Sequence, residues 1–158
     1  ELAMSEAFDE EEVAPAKVDA FVGLQPREVA RLRLSTIPAF RLLSLDHRVN
    51  PYIDAVKQGR RLPTVPCRWS WMAVYRKDYV IWRMDLDGAA FAALEEISRG
   101  RPLGRSLAAA AHRWSSTPEE LEAAIKKWFG EWTREGFFAA VRARRRVDPR
   151  PRPTIRRL

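Results

Sequence analysis

Trp69-Ser70-Trp71-Met72-Ala73-Val74-Tyr75, then Arg76-Lys77-Asp78, then Tyr79-Val80-Ile81-Trp82-Arg83-Met84-Asp85-Leu86 is the stretch on which the rest of the chain is organised. Two runs rich in aromatic and β-branched residues, separated by three polar ones, predict a β-hairpin. Side chains alternate across a strand, so Trp69, Trp71, Ala73 and Tyr75 share one face of the first run, and Ser70, Met72 and Val74 share the other. Neither face is plainly polar. In the second run Val80, Trp82, Met84 and Leu86 make a wholly apolar face, and Tyr79, Ile81, Arg83 and Asp85 a mixed one. The pattern predicts one face packed on a helical core and the other partly covered by something else.

Downstream, Asp87 is placed to cap a helix over 88–99, with Ala90, Phe91, Leu94 and Ile97 at helical spacing and Gly100 as its stop. Pro102-Leu103 opens a second helix whose inner stripe is Leu107, Ala110, Ala111 and Trp114. Thr117-Pro118-Glu119-Glu120 has the form of a capping box. The helix it starts carries Leu121, Ile125, Trp128, Phe129 and Trp132 on one side and ends at Gly136. Phe137 to Val141 reads as a short returning strand.

Upstream, residues 15–62 read as an interrupted helical segment. Val18, Phe21 and Val22 predict a short helix ending near Gly23, and Pro26 opens another with Val29, Leu32 and Ile37 inward. Phe40, Leu42, Leu43 and Leu45 continue the apolar pattern, and Asn50-Pro51 opens a last short helix through Ile53 and Val56 to Gly59. Pro63 and Pro66 make an extended connector. The expectation is an α+β chain in four parts: a mobile acidic lead-in over 1–14, an irregular helical segment over 15–62, a winged-helix-like domain of hairpin and three helices over 63–141, and a tail over 142–158.

With 158 residues, 46% of them hydrophobic, the chain can bury one ordinary core. Its net charge of +7 comes from the tail: residues 142–158 hold eight Arg and one Asp, leaving 20 basic and 20 acidic residues before them. Val147-Asp148-Pro149-Arg150-Pro151-Arg152-Pro153 has too few apolar anchors to fold alone, which predicts disorder there. Cys67 has no second cysteine to pair with, which fits a reducing cytosol. His47, Cys67 and His112 lack the spacing of a zinc site. No apolar run approaches the roughly eighteen residues of a membrane span. A soluble cytoplasmic protein is expected.

Several short matches carry a resemblance: Val80-Ile81-Trp82-Arg83, Asp85-Leu86-Asp87-Gly88 with Phe91-Ala92-Ala93-Leu94, Gly100-Arg101-Pro102-Leu103, Ala108 to Ala111, and Trp132-Thr133-Arg134-Glu135-Gly136-Phe137-Phe138. Over Arg68 to Val141 the chain resembles the C-terminal domain of the partner proteins of multinuclear non-heme iron-dependent oxidative enzymes. These act in ribosomal peptide natural-product pathways, methanobactin biosynthesis among them. The order of elements is also similar to small domains that hold precursor leader peptides. The half before Pro63 does not clearly match the family's longer N-terminal helical domain.

The resemblance implies a non-catalytic subunit that forms a heterodimer with an iron-dependent oxidative enzyme and presents a precursor peptide to it. The iron would belong to the enzyme, with no cofactor and no catalytic residue in this chain. In the domains it resembles, the bound strand lies between the hairpin edge and the third helix. That would put Tyr79, Ile81 and Arg83 beside the peptide, with Lys127 and Glu131 on the helix's outer flank.

Other readings compete. Trp69, Trp71 and Trp82 suit a core, since large aromatics are usually buried, and Arg83 suits a surface ion pair. Six Trp also suit the anchors of a heteromeric interface. A winged-helix nucleic-acid reading needs a basic third helix, but this one carries Glu119, Glu120, Glu122, Glu131 and Glu135 against Lys126, Lys127 and Arg134. Only the Arg-rich tail favours it. No phosphate loop or nucleophile elbow points to an enzyme. His112 reads as an exposed helical residue, Cys67 as a half-buried thiol and His47 as lying at a helix end.

Overall fold

In a computed structural model, which describes residues 2–16 and 25–142, the chain is a mixed α+β protein. Its elements are α1 (Leu2–Asp9), α2 (Pro26–Val29), β1 (Arg33–Thr36), β2 (Phe40–His47), α3 (Asn50–Lys57), β3 (Cys67–Lys77), β4 (Val80–Leu86), α4 (Gly88–Ser98), α5 (Leu103–Arg113), α6 (Pro118–Arg134) and β5 (Phe138–Arg142). β2, β3 and β4 form one antiparallel sheet in that order, and β1 pairs with β5 in a second.

The hairpin forms, but its turn is Asp78-Tyr79, with φ of 53° and 60°, and not Arg76-Lys77-Asp78. Positive φ at both central residues is the primed geometry that matches strand twist. Arg76 and Lys77 remain in β3, and Tyr79 leaves the strand for the turn. No glycine or asparagine marks this turn, which is why the sequence put it one step early.

The segment expected to be helical over 15–62 contains two strands instead. Phe40 to Leu45 lies in β2, where Leu42 pairs with Ala73 and Leu43 with Met72. Arg33 to Thr36 forms β1 and takes β5 as partner, so only a short α2 and the expected α3 are helical between 25 and 62. Apolar residues at 40, 42, 43 and 45 fit either period, and a sheet partner decided between them. The helix predicted over Val18 to Val22 lies outside the described residues, as does the tail from 143 onward. Arg142, placed with the tail in the sequence reading, is the last residue of β5.

Part of the lead-in is helical. Residues 2–9 form α1, whose Ala7 is wholly buried against Met72 and Val74. Arg41 fixes it from below, donating to Glu10 at 2.6 Å and to Glu6 at 3.2 Å, while Arg76 donates to the carbonyls of Phe8 and Glu10. The face of the hairpin that the sequence left for an unnamed cover is therefore occupied partly by this N-terminal helix.

The main core lies on the other face. Ala73 and Tyr75 of β3 meet Phe40, Leu94, Ile97, Trp128, Trp132 and Phe137. Trp132 sits among Trp128, Phe129 and Phe138, with ring centroids 5.0 to 6.4 Å away. Of the expected inner stripe of α5, Ala110 is buried and Leu107 half-buried, but Ala111 faces solvent and Ser106 takes an inner place. Asp87 caps α4 as expected, accepting from the amides of Ala89 and Ala90 at 2.9 and 2.8 Å. Thr117 accepts from the Glu120 amide, but the Glu120 carboxylate turns to the Ser116 hydroxyl, so the capping box is half made.

Two glycines sit at close approaches. α5 has no side-chain cap; the Gly104 amide instead bonds the Ala30 carbonyl at 2.9 Å, and a Cβ there would stand 3.1 Å from that oxygen. Gly136 ends α6 with φ of 74°, and a Cβ there would stand 3.2 Å from Pro15.

These contacts give two stability predictions, read by urea denaturation. Trp132→Ala removes the ring at the centre of the main core and is expected to cost about 3–5 kcal/mol. Asp87→Ala leaves two α4 amides uncapped and is expected to cost about 1 kcal/mol.

Candidate functional site

β4 pairs with β3 alone, so one side of its main chain is unpaired. The turn decides which groups those are. Across the two turn residues the Lys77 carbonyl accepts from the Val80 amide. Opposed residues in an antiparallel pair then alternate between bonded and non-bonded. Val80, Trp82, Met84 and Leu86 therefore spend their main-chain groups on β3, while Ile81, Arg83 and Asp85 turn theirs outward. Among the described residues, those three make no main-chain bond to another element.

The side chains of β4 divide between the two faces. Ile81 packs with Met72 and Val74 in the second core. Arg83, its side chain only 11% exposed, donates to Asp54 of α3 at 2.7 Å. Asp85 accepts from Arg48 at 3.0 Å and from the Asn50 amide. From Asp54 back to Asn50 a helix rises about 6 Å. From Arg83 to Asp85 a strand advances about 6.6 Å. The two repeats match, so α3 runs antiparallel beside β4, and Lys57 continues its row alongside Ile81 and Val80. Two polar atoms in this groove, Arg83 Nη1 and Asn50 Oδ1, are buried without a hydrogen-bond partner.

On the opposite face, Met84 and Leu86 pack against the main core. Val80 and Trp82 stay half open, at 51% and 50% exposure. α6 serves this side: Glu135 at its end accepts from the Tyr75 hydroxyl at 3.1 Å and from Lys77 at 3.3 Å. Glu131 and Lys127 lie one and two turns earlier on the same stripe.

The five residues singled out in the sequence are thus not one cluster. Tyr79 is in the turn and 77% exposed. The side chains of Ile81 and Arg83 point to the α3 face, away from the face served by Lys127 and Glu131, and Arg83 is a half-shielded ion pair. What Ile81 and Arg83 offer the edge is main chain. Sequence reasoning missed Val80 and Trp82 as the open apolar surface, although their shared face was legible, and missed Asn50, Asp54 and Lys57. The spacing of those three places them on one helix face, but nothing in the sequence named β4 as their neighbour.

The remaining candidates are simple. Trp71 is half-buried against Phe91, whereas Trp69 is 64% exposed, so the hairpin tryptophans are not all core. Cys67 is exposed rather than half-buried. His47 ends a strand rather than a helix and approaches the Pro66 carbonyl at 3.3 Å. Among the described residues no group of His, Cys, Asp or Glu is arranged to hold a metal, and no helix is long and apolar enough to cross a membrane.

One group at this face titrates abnormally. Burial, then the charge and hydrogen bond of Glu135, push the Tyr75 phenol well above its usual range. A raised folded-state value means that the contribution to stability is complete below the unfolded value of about 10 and is lost as pH climbs above it. Tyr75→Phe is therefore expected to cost about 1 kcal/mol near neutrality, for the lost hydrogen bond. It should also lose less stability than the parent as pH rises above about 10, by urea denaturation at each pH.

Compared with models of protein families, with curated proteins and with solved structures, the chain gives no match.

Proposed function

We propose that this chain is the non-catalytic partner subunit of an iron-dependent peptide-modifying oxidative enzyme, and that it holds the leader of a precursor peptide as an added strand on β4. The outward main-chain groups of Ile81, Arg83 and Asp85 carry this reading. An unpaired edge is a template for another strand, and proteins blunt such edges with proline, bulges or covers. β4 has neither proline nor bulge over 80–86, its register with β3 is unbroken, and α3 meets it through the side chains of Arg83 and Asp85 rather than through its main chain. The other outer strand, β2, has an irregular register between Leu45 and His47. Strand addition takes its affinity from main-chain bonds and its specificity from pockets for alternate side chains.

In this reading the hairpin with α4, α5 and α6 acts as a winged-helix-like peptide-recognition domain. One set of peptide side chains would lie over Val80 and Trp82 towards Lys127 and Glu131, and the alternate set towards α3. The iron and the oxidation belong to the enzyme, in a cytoplasmic heterodimer. The nucleic-acid alternative has less support: α6 presents Glu119, Glu120 and Glu122 to solvent, which phosphate would repel.

The test separates main chain from side chain at one position. The amide of Ile81 makes no ladder bond, so Ile81→Pro leaves the hairpin paired while blocking the edge. Ile81→Ala loses the same side chain but keeps the amide. By calorimetry with the precursor peptide encoded beside the gene, Ile81→Pro is expected to weaken binding more than about tenfold relative to Ile81→Ala. Equal binding by the two variants would contradict the proposal.

A further inference from the structure

The groove between α3 and β4 carries more positive charge than it neutralises. Asp85 is engaged by Arg48 and Asn50, and Asp54 by Arg83. Lys57, beside Val80 and Ile81, has no ion-pair partner among the described residues. Arg60 and Arg61 lie in the adjoining hollow, which shares Asn50, Asp54 and Asp85 with the groove, and they are unpaired in the same sense. Five cations therefore surround two carboxylates that are already spent. Arg83 adds an unmet donor beneath, since its Nη1 has no acceptor.

We infer that this groove reads carboxylate side chains at alternate positions of the strand bound on β4, so that the recognised segment is an acidic extended peptide. The inference rests on the strand-addition reading and adds the chemistry of the ligand to it. Side chains of an added strand alternate between the faces of the sheet. Those on the α6 side meet Val80 and Trp82 and suit apolar residues. Those on the other side come over Lys57 and the two arginines, where a carboxylate gains charge-assisted hydrogen bonds that an amide of the same shape cannot match. Lys57, Arg60 and Arg61 are all exposed, so they are free to meet a ligand without a change of fold.

The experiment uses the full chain and two probes: the neighbouring precursor peptide, and the same peptide with every Asp and Glu replaced by Asn and Gln. The variant Lys57→Gln/Arg60→Gln/Arg61→Gln alters only exposed side chains, and its melting temperature reports that the fold is kept. The parent is expected to prefer the acidic peptide by about tenfold, and the triple variant to bind both peptides about equally, at the weaker level. The preference should fall with added salt. Binding of the acidic peptide that Ile81→Pro abolishes but the triple variant leaves intact would overturn the charge inference and spare the edge. Absence of binding to the parent would overturn both.

Discussion

The middle of strand β3, Met72 to Tyr75, is buried on both faces, and its pleat sets the rest of the molecule. Ala73 and Tyr75 go to the main core with α4 and α6, while Met72 and Val74 go to the small core under α1. A strand covered on both sides has no solvent face, which is why Trp71 to Tyr75 reads as a continuous apolar run. A shift of one residue would send Tyr75 away from Glu135 and Val74 into the larger core. The turn at Asp78-Tyr79 prevents that shift. By fixing Lys77 opposite Val80 it also settles which groups of β4 face outward, so the same two residues position both the core and the candidate site.

The two faces of β4 offer different chemistry to whatever lies along its edge. On the core side, Val80 and Trp82 remain half open, whereas Met84 and Leu86, further from the turn, pack against the main core. On the far side, α3 lies alongside with a row of polar groups in step with the strand. The ion pair from Arg83 to Asp54 does local work here, holding a nearly buried guanidinium that would otherwise be an uncompensated charge. An edge bounded by an apolar strip and a cationic groove can distinguish the two sides of an alternating peptide, which a flat edge could not.

The C-terminal half was the legible half. Asp87 and Thr117 as caps, Gly100 and Gly136 as stops, and the Trp128 to Trp132 stripe follow from local rules, because each depends on residues within one helix. The N-terminal half depends on distant partners. β1 exists because Leu34 meets Val141 and β2 because Leu43 meets Met72, pairings more than a hundred and nearly thirty residues apart in sequence. The period of 40–45 is ambiguous without them. The order of α1 is likewise a tertiary matter, since eight residues cannot hold a helix in water without the sheet beneath and Arg41 and Arg76 across them. At the site, alternation along β4 was readable, but the assignment of Ile81 and Arg83 to the α3 side, away from α6, needed the position of α3.

Whether a peptide completes the sheet at β4 is decided by amide hydrogen exchange at single residues, with the precursor peptide present and absent. The amides of Ile81, Arg83 and Asp85 are expected to exchange rapidly in the free protein and to become protected together on binding, while those of Val80, Trp82 and Met84 are protected in both states. Protection that appears elsewhere, with residues 81, 83 and 85 unchanged by a bound peptide, would contradict strand addition at β4.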